Sequence, residues 1–397
     1  MKGLTSRLFK DTISLDNLSS KVQQVALITP ATIDKICTSN GLFHVPDRIK
    51  TSIEGCLASD DENAITGEYS RLSEEFQKYE NLMEPALIDY KGESTLDAYT
   101  AYYLPRYMFI PSVALRDLTL HPFFQNVPDS FNVLDLGSGT GAVVLGLLSL
   151  FSNSPLSQVA INITTLDCCA EALDRQRSLI GKAGFHSEQV HHYEEDLCDI
   201  DSCMKTASKE SPYYLIFLAN CLTELEYDVA EDLIGRLPEI LADEGAIIIA
   251  EAQRDYIKKL MRTLAGVVEE YGLHIYYPCA APGCPYAPYC WVWRYHKCEL
   301  PSIKVGGQPL SGDPRDDFVC SWLILTRQNV SIYDTFIKKR PDLLWGPISK
   351  STGTKRAVCY GNQTLPFKMD YDVSPHYTRG SIVGLSSEHE VEEYHEM

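Results

Sequence analysis

The feature that most constrains this chain is a short apolar strand that runs directly into a glycine-rich turn. Residues Val133–Leu136 are apolar apart from Asp135, and glycines follow at positions 137, 139 and 141. The next residues, 142–148, are aliphatic or glycine, which is typical of a buried helix. Glycine permits positive φ angles and lets a ligand approach the N–H groups at the start of that helix. The turn is therefore a candidate binding site, although a purely structural strand-to-helix turn can also use glycine.

An acidic residue ends the next predicted strand. Asp167 closes the run Val159–Leu166 and lies 32 positions after Asp135. A carboxylate at this place can accept both ribose hydroxyls of a nucleoside, as it does in dinucleotide-binding folds. Aspartate is also a common helix N-cap, and the two roles are compatible.

Together, the turn and this acid resemble motif I and its surroundings in the Rossmann-like S-adenosylmethionine (SAM) methyltransferases. The resemblance implies a seven-stranded α/β fold, closed by an antiparallel hairpin, that binds SAM. It also implies that Asp196, after the third strand, contacts the adenine amino group; the alternative is a solvated Glu-Glu-Asp loop. The fourth strand, Tyr214–Asn220, ends where such folds place catalytic groups. The residues predicted to bind SAM are Asp135, Gly137, Ser138, Gly139, Gly141, Asp167, Asp196 and Asn220.

No catalytic group can be assigned from the fourth strand. It ends in Asn220-Cys221 and lacks the Asn/Asp-Pro-Pro-aromatic motif of amino-group methylases. It also lacks the Pro-Cys nucleophile of carbon-5 pyrimidine methylases, so Cys221 is expected to be a small buried residue. Methyl transfer would then depend on proximity and orientation, which need little acid–base assistance.

A cysteine-rich loop interrupts the predicted hairpin of the sixth strand, Leu273–Tyr277, and the seventh strand, Asp317–Leu325. Three cysteines lie within twelve residues that are rich in proline and glycine. Such a loop can wrap an ion, and thiolates are ligands for zinc and for iron–sulfur clusters. The spacing is not the C-x₂-C pair of most zinc ribbons, and three unconnected thiols are the alternative. The cysteines are Cys279, Cys284 and Cys290, and candidates for a fourth ligand are Cys298, Cys320, Cys359 and His296.

This loop and later segments resemble a narrower family, the methyltransferase-like proteins of mitochondrial small-ribosomal-subunit assembly, which have bacterial and archaeal relatives. The matching segments are Tyr277-Pro278-Cys279, Cys290-Trp291-Val292-Trp293, Trp345-Gly346-Pro347 and Ala357-Val358-Cys359-Tyr360-Gly361. The resemblance implies a four-iron–four-sulfur (4Fe-4S) cluster, with zinc as the alternative, and a partner in the small ribosomal subunit or its ribosomal RNA (rRNA). Ala280-Ala281 departs from that family's Pro-His pair. The ligands that it implies are Cys279, Cys284, Cys290 and Cys359.

Charge and cysteine content limit the partners and the compartment. The net charge of −19 argues against a protein that coats nucleic acid uniformly. Residues 327–368, however, contain eight Lys or Arg and only two acids, which indicates either a solvated surface or a patch for a polyanion. Thirteen cysteines without a recognisable signal peptide favour a reducing compartment, the cytoplasm or alternatively the mitochondrial matrix. We expect no DNA partner. We also expect no membrane partner, because no apolar run is long enough to span a bilayer.

The chain divides into four predicted parts: a helical N-terminal region (1–92), a SAM methyltransferase-like domain (93–327) with the cysteine-rich insertion (278–316), a basic segment (328–385) and an acidic tail (386–397). The tail is expected to be disordered. The favoured function is a SAM-binding iron–sulfur methyltransferase-like protein that acts on or binds rRNA in small-subunit assembly. The alternatives are a methyltransferase of a small molecule or protein with a structural metal, and a non-catalytic, metal-stabilised assembly factor.

Overall fold

The computed structural model describes residues 38–39, 42–121, 130–153, 156–252, 254–277, 292–310, 317–332, 334–335, 344–352, 355–360, 363–368, 382–385 and 391–395. The side chains of residues 38–43, 158, 292–299, 317–319 and everything after 335 lie outside this description.

A central sheet of ten strands organises the fold. The strands are β1 Thr38–Ser39, β2 Leu42–His44, β3 Ser130–Leu136, β4 Ala160–Asp167, β5 Val190–Glu194, β6 Tyr213–Ala219, β7 Leu241–Glu251, β8 His274–Tyr277, β9 Val292–Glu299 and, after the short hairpin β10 Lys304–Val305 and β11 Gln308–Pro309, β12 Asp317–Thr326. Their order is β1-β2-β9-β12-β7-β6-β3-β4-β5, and β8 also pairs with β12. Strands β3 to β7 are parallel, whereas β12 runs antiparallel to β7. The predicted seven-stranded α/β sheet with an antiparallel hairpin is confirmed, and β1, β2 and β9 extend it.

Helices cover both faces of this sheet. Alternate residues of a strand face opposite layers, so Val133 of β3 packs with α6 on one face and Leu134 packs with α8 to α10 on the other. A π-helical turn, Tyr99–Tyr103, joins α3 to α4. No helix among the described residues is long and apolar enough to cross a membrane. The helices are α1 Asp47–Cys56, α2 Glu62–Leu82, α3 Glu93–Ala98, α4 Leu104–Tyr107, α5 Ile110–Leu118, α6 Ala142–Phe151, α7 Ala170–Lys182, α8 Ile200–Ala207, α9 Tyr227–Arg236 and α10 Asp255–Val267.

The N-terminal region is part of the main fold, not a separate helical unit. The prediction of helices within residues 1–92 holds for α1 and α2, but β2 pairs in parallel with β9 at the edge of the sheet. A buried ion pair joins Asp97 of α3 to Arg175 of α7 at 2.6 Å. Asp97 also accepts hydrogen bonds from the backbone N–H groups of Ala58 and Ser59. The sequence did not indicate this docking because every contact joins distant parts of the chain.

The predicted sixth strand, Leu273–Tyr277, corresponds to β8, and β9 pairs with the same strand, β12, further along. Tyr277 pairs with Ile324 and Val292 pairs with Trp322, so residues 278–291 leave and rejoin the sheet only two positions apart on β12. The predicted insertion, 278–316, is therefore partly sheet. Its three predicted metal ligands, Cys279, Cys284 and Cys290, lie outside the described residues.

The C-terminal part forms a second sheet of five strands in the order β15-β14-β13-β16-β17, with β13 Leu344–Thr352, β14 Lys355–Tyr360, β15 Gln363–Lys368, β16 Ile382–Leu385 and β17 Val391–His395. The fourth predicted metal ligand, Cys359, lies in β14 opposite Thr364. The prediction that the whole acidic tail is disordered is wrong for residues 391–395, because they pair with β16. Val391 and Tyr394 favour a strand, which the count of glutamates concealed.

Candidate functional site

A cavity of ≈ 450 Å³ opens at the carboxyl ends of the central strands. It is lined by residues that follow β3, β4, β5 and β6, by the start of α6, and by residues 86–90, which we call the cover segment. The chain leaves β3 and β6 toward opposite sides of the sheet, and open α/β sheets bind ligands in the crevice at such a switch point. The volume is that of an ordinary small-molecule site.

The glycines of the turn have different physical roles. Gly137 has a φ of +66°, and a Cβ atom there would lie 2.4 Å from the Cβ of Cys221. Only glycine therefore lets the turn pack against the residues after β6. Gly139 has a φ of +51°, and a Cβ atom there would meet nothing within 4 Å, because this side of the turn faces the cavity. Gly141 packs against Gln176 and is not among the lining residues, unlike Ser138.

Asp135 is buried beneath the turn without a protein partner. Its side chain lines the cavity and is 1% exposed, and neither carboxylate oxygen has a hydrogen-bond partner among the described residues. Burial, reinforced by the charge of Asp167, raises the pKa of Asp135 well above its ordinary value. A buried carboxyl group without a partner is unfavourable. Asp135 is therefore suited to bind a cationic or hydrogen-bond-donating group of a ligand.

Asp167 and Asp196 stand at the ends of β4 and β5, as predicted, and both line the cavity. Asp167 accepts hydrogen bonds from the N–H of Gly139 at 2.7 Å and the N–H of Cys169 at 2.9 Å. Each of its oxygens can still accept one more hydrogen bond, so ribose binding remains open to it. Asp196 is exposed, and its Oδ1 accepts from the N–H of Cys198 at 2.9 Å.

Asn220, at the end of β6, adopts a left-handed conformation with φ of +58°. Such backbone is uncommon outside glycine and clusters at functional sites. Its amide Oδ1 is buried without a partner among the described residues, and the residue lines the cavity. The following loop is held by Glu251, whose Oε1 accepts from the N–H groups of Cys221 and Leu222. Burial raises the pKa of Glu251 to about 8.

Cys221 is buried against Gly137, and burial raises the pKa of its thiol well above the ordinary value. A thiol of high pKa carries little thiolate at neutral pH, so it is a weak nucleophile. The packing role predicted for Cys221 agrees with this environment.

Glu224 is a cavity residue that sequence reasoning missed. It is half-buried, and its Oε1 accepts a hydrogen bond of 2.5 Å from the hydroxyl of Tyr90 in the cover segment. Burial raises the pKa of Glu224 to about 8, against the opposing effect of the Tyr90 hydrogen bond. The available signal was its place four residues after Asn220. Tyr90 gave no signal, because its contact with Glu224 spans 134 residues.

The charged residues that line the cavity are acidic. Five carboxyl residues line it, and none of the described lining residues is Lys, Arg or His. Such a surface repels phosphate and carboxylate groups and attracts cations. The five residues are Asp89, Asp135, Asp167, Asp196 and Glu224.

No group of three or more His, Cys, Asp or Glu within the described part of the chain could hold a metal ion. Cys320, one candidate for a fourth ligand, is 1% exposed within β12, where a small buried thiol was expected. Cys298 lies in β9 beside Phe43 of β2.

No protein-family model and no curated protein matches this sequence. Similar solved structures include a ribosomal protein L11 methylase from Lactobacillus delbrueckii subsp. bulgaricus, at 14% identity and TM-score 0.31, covering 55% of this chain and 79% of that chain. An O-methyltransferase family protein from Burkholderia thailandensis is 15% identical, with TM-score 0.39, and the match covers 68% and 72% of the two chains. A magnesium protoporphyrin IX methyltransferase from Synechocystis PCC 6803, with bound SAM, is 12% identical with TM-score 0.34, covering 68% and 98%. Because these scores are low, the function has to be inferred from the cavity itself.

Proposed function

We propose that this chain is a SAM-dependent methyltransferase that binds SAM in the cavity at the ends of β3 to β6. The observation that carries the proposal is the buried carboxyl group of Asp135, which has no partner among the described residues. The charged residues of the described cavity lining are all acidic. A dinucleotide would place its pyrophosphate at this turn, next to Asp135 and Asp167. SAM instead offers a nucleoside without phosphate, together with a sulfonium and an ammonium group.

The residues of the site fit the separate parts of SAM. Asp135 would hold the ammonium group, Asp167 the ribose hydroxyls and Asp196 the adenine amino group. The open space above Gly139 lets the ligand lie against the backbone, and the unpartnered Oδ1 of Asn220 offers a further acceptor.

SAM, when bound, supplies an electrophilic methyl group on a positively charged sulfur. The chain would contribute position and shielding from water, because the cover segment closes one side of the cavity. That segment is attached by a hydrogen bond of 2.8 Å from the N–H of Ala86 to the carbonyl of Thr223, and by the Tyr90–Glu224 contact. Holding donor and acceptor in one orientation can supply a large part of the rate enhancement.

Calorimetric titration tests this proposal, with SAM and ATP as the two ligands. Both contain adenosine, but ATP adds phosphates that the acidic cavity disfavours. SAM is expected to bind and ATP is not.

We also propose, as a finer function, an iron–sulfur protein that binds rRNA in small-subunit assembly. The support is the resemblance in the cysteine-rich loop and in residues 344–368, together with the placement of the loop. Its ends are two positions apart on β12, where Trp322 pairs with Ala250 of β7. A loop with closely spaced ends can bring its thiolates together without distorting the sheet.

Strand pairing limits the choice of the fourth ligand. Cys279 follows Tyr277 by two residues, and Tyr277 pairs with Ile324 near one end of β12. Cys298 lies beside the other end of β12, which begins at Asp317. At about 3.3 Å per residue, Ile324 and Asp317 are about 23 Å apart along β12. The two residues from Tyr277 to Cys279 can span at most about 7 Å of that distance. A cluster that includes Cys279 therefore excludes Cys298.

The cluster is tested with Cys359→Ser and Cys298→Ser, which are matched changes at the implied ligand and at its nearest rival. After anaerobic purification, Cys359→Ser is expected to lose most of the iron, sulfide and visible absorbance of the wild type. Cys298→Ser is expected to keep them. Loss of iron in the Cys298 variant alone would refute this ligand set, and stoichiometric zinc without iron in the wild type would refute the iron–sulfur cluster.

The rRNA partner is tested through the salt dependence of binding. Lys355 and Lys368 stand directly opposite each other in the ladder of β14 and β15. Like charges opposite each other are unfavourable in a free sheet, and a polyanion would offset them. Replacing both by Ser should reduce the slope of log affinity against log salt by about one unit per lost contact. The same change at Lys205 and Lys209, two exposed residues in α8 and just after it, should leave the slope unaltered. An equal effect of both pairs would reject this surface.

A further inference from the structure

Part of the cavity is not needed for SAM, and this inference rests on the proposed methyltransferase function. The ends of β3, β4 and β5, with Asn220 at the end of β6, supply the residues assigned to SAM. The remaining wall follows β6 and includes the cover segment and the π-helical turn. Its polar residues are Glu224, Tyr90, Tyr99, Tyr107 and Asp89.

Glu224 is fixed in this wall by Tyr90. The Tyr90 hydroxyl donates to Oε1 at 2.5 Å, which leaves Oε2 for another donor. The ring of Tyr90 stands edge-on to that of Tyr99, with 5.3 Å between ring centroids, and the two hydroxyls interact. The carboxyl group therefore has one defined orientation beside an aromatic surface.

The charges around Glu224 favour a positively charged guest. Its neighbours include two acids, Asp167 and Glu251, and one cation, Arg254, which lowers the pKa of Glu224. The guanidinium of Arg254 is already engaged, because it lies 4.2 Å from the centre of the Phe76 ring and donates to the carbonyl of Phe76. The described lining residues include no Lys, Arg or His. Aromatic faces add attraction for an ammonium group. A phosphate or carboxylate acceptor would face the acids of this lining without a cationic residue in the described lining to offset them.

We propose that this half of the cavity binds an aliphatic amine as the methyl acceptor, and that Glu224, oriented by Tyr90, takes the proton that the amine must lose. Glu224 would thus be a catalytic residue and Tyr90 a positioning residue.

The step balances without any further reactant. The protonated amine gives one proton to the Glu224 carboxylate, and its free lone pair then forms the N–C bond to the methyl carbon. The S–C bond breaks, its electron pair stays on sulfur, and the sulfonium becomes a neutral thioether. Glu224, now a carboxylic acid, returns its proton to solvent. The pKa of Glu224, raised to about 8 by burial, lies near the pH at which such a base works.

The first test compares Glu224→Gln with Glu226→Gln, an identical change at an exposed residue of the same loop that does not line the cavity. Glu224→Gln should lower kcat by about 10²- to 10⁴-fold, as expected for a lost general base, and leave SAM affinity unchanged. Glu226→Gln should alter neither quantity. If Glu224→Gln loses SAM affinity along with kcat, or keeps the wild-type rate, the assignment is overturned. Absence of SAM binding in the wild type would instead refute the proposed function.

The second test uses the pH profile of Tyr90→Phe. The Tyr90 hydrogen bond lowers the pKa of Glu224, so its removal should raise that pKa. The rate of Tyr90→Phe should therefore reach half its maximum at a higher pH than in the wild type. A purely structural role for Tyr90 would lower the rate equally at every pH and overturn its positioning role.

The third test identifies the acceptor with methyl-labelled SAM. Spermidine represents a free amine, and a lysine-containing peptide represents a protein amine; which of the two is labelled distinguishes these sources. The same peptide with acetylated lysines is the control and should take no label. Label on rRNA or on a carboxylate acceptor alone, or on none of the amines, would overturn the amine assignment.

Discussion

At the scale of single residues, the site depends on carboxyl groups that the protein alone leaves unsatisfied. Asp135 is the extreme case, because it is 1% exposed and its oxygens have no partner among the described residues. An apolar residue of similar size would suit the empty protein better. Its presence is explained by a ligand that carries a positive charge to this position, since a buried charge requires a partner.

Asp135→Asn should therefore weaken SAM binding without harming the fold. The loss of a hydrogen bond to a charged group is worth about 1.5–3 kcal/mol, or a roughly 10- to 100-fold rise in Kd. The melting temperature of the SAM-free protein should stay equal or increase, because an unsatisfied carboxyl group is removed. The measurement is calorimetric titration of SAM into this variant, and the exposed Asp174→Asn is the control. Wild-type SAM affinity in both variants would contradict the role of Asp135.

The sequence was sufficient to place residues in the cavity where their position follows from a single strand. Asp135, Gly137, Gly139, Asp167, Asp196 and Asn220 all line the cavity because each stands in a strand or at its end, which apolar runs reveal. Glu224 and Tyr90 could not be predicted, because their pairing is a tertiary contact between a loop and the cover segment.

At the scale of elements, the loop after β6 is the part that Glu251 holds in place. This carboxyl group is fully buried at the end of β7 and accepts hydrogen bonds from two backbone N–H groups of the loop. Burial raises the pKa of Glu251 to about 8, and that of Asp135 well above its ordinary value. In the unfolded chain both groups return to their ordinary values, so the folded state binds more protons between these limits.

The sign of the pH dependence follows directly. These carboxyl groups make their full contribution to the free energy of unfolding at a pH below their ordinary pKa. That contribution is lost as the pH rises through about 8. The SAM-free protein should therefore unfold at a lower temperature at pH 8.5 than at pH 6. Glu251→Gln keeps the acceptor oxygen but removes the titrating group, so the difference should shrink. A wild-type protein that is more stable at pH 8.5, or a Glu251→Gln variant with an undiminished difference, would contradict this account.

Elements were predictable where strands are rich in apolar and β-branched residues, as in β3, β4, β6 and β7. The extension by β1, β2 and β9 was not, because Phe43 and Cys298 pair across 255 residues of sequence. Strand β17 was missed because its five residues, Val391–His395, include two glutamates, which suggested solvent exposure.

At the scale of the whole molecule, the predicted domain boundary at residue 92 divides one functional unit. The cover segment belongs to the N-terminal region, yet all five of its residues line the cavity of the sheet domain. The Asp97–Arg175 ion pair fixes the adjoining helix to α7, which follows strand β4. A fragment that begins at residue 93 would retain the glycine-rich turn but lose one wall of the cavity.

The central claim is that this cavity selects a nucleoside that carries a positive charge and no phosphate. The most direct test is calorimetric titration of SAM and of ATP into the full-length protein. Gly139→Arg, which fills the open space of the turn, serves as the site variant. Gly184→Arg, at another glycine with positive φ and open surroundings outside the cavity, is its matched control. The account predicts that wild type and Gly184→Arg bind SAM and not ATP, and that Gly139→Arg binds neither. Binding of ATP as tight as that of SAM, or unchanged SAM affinity in Gly139→Arg, would contradict it.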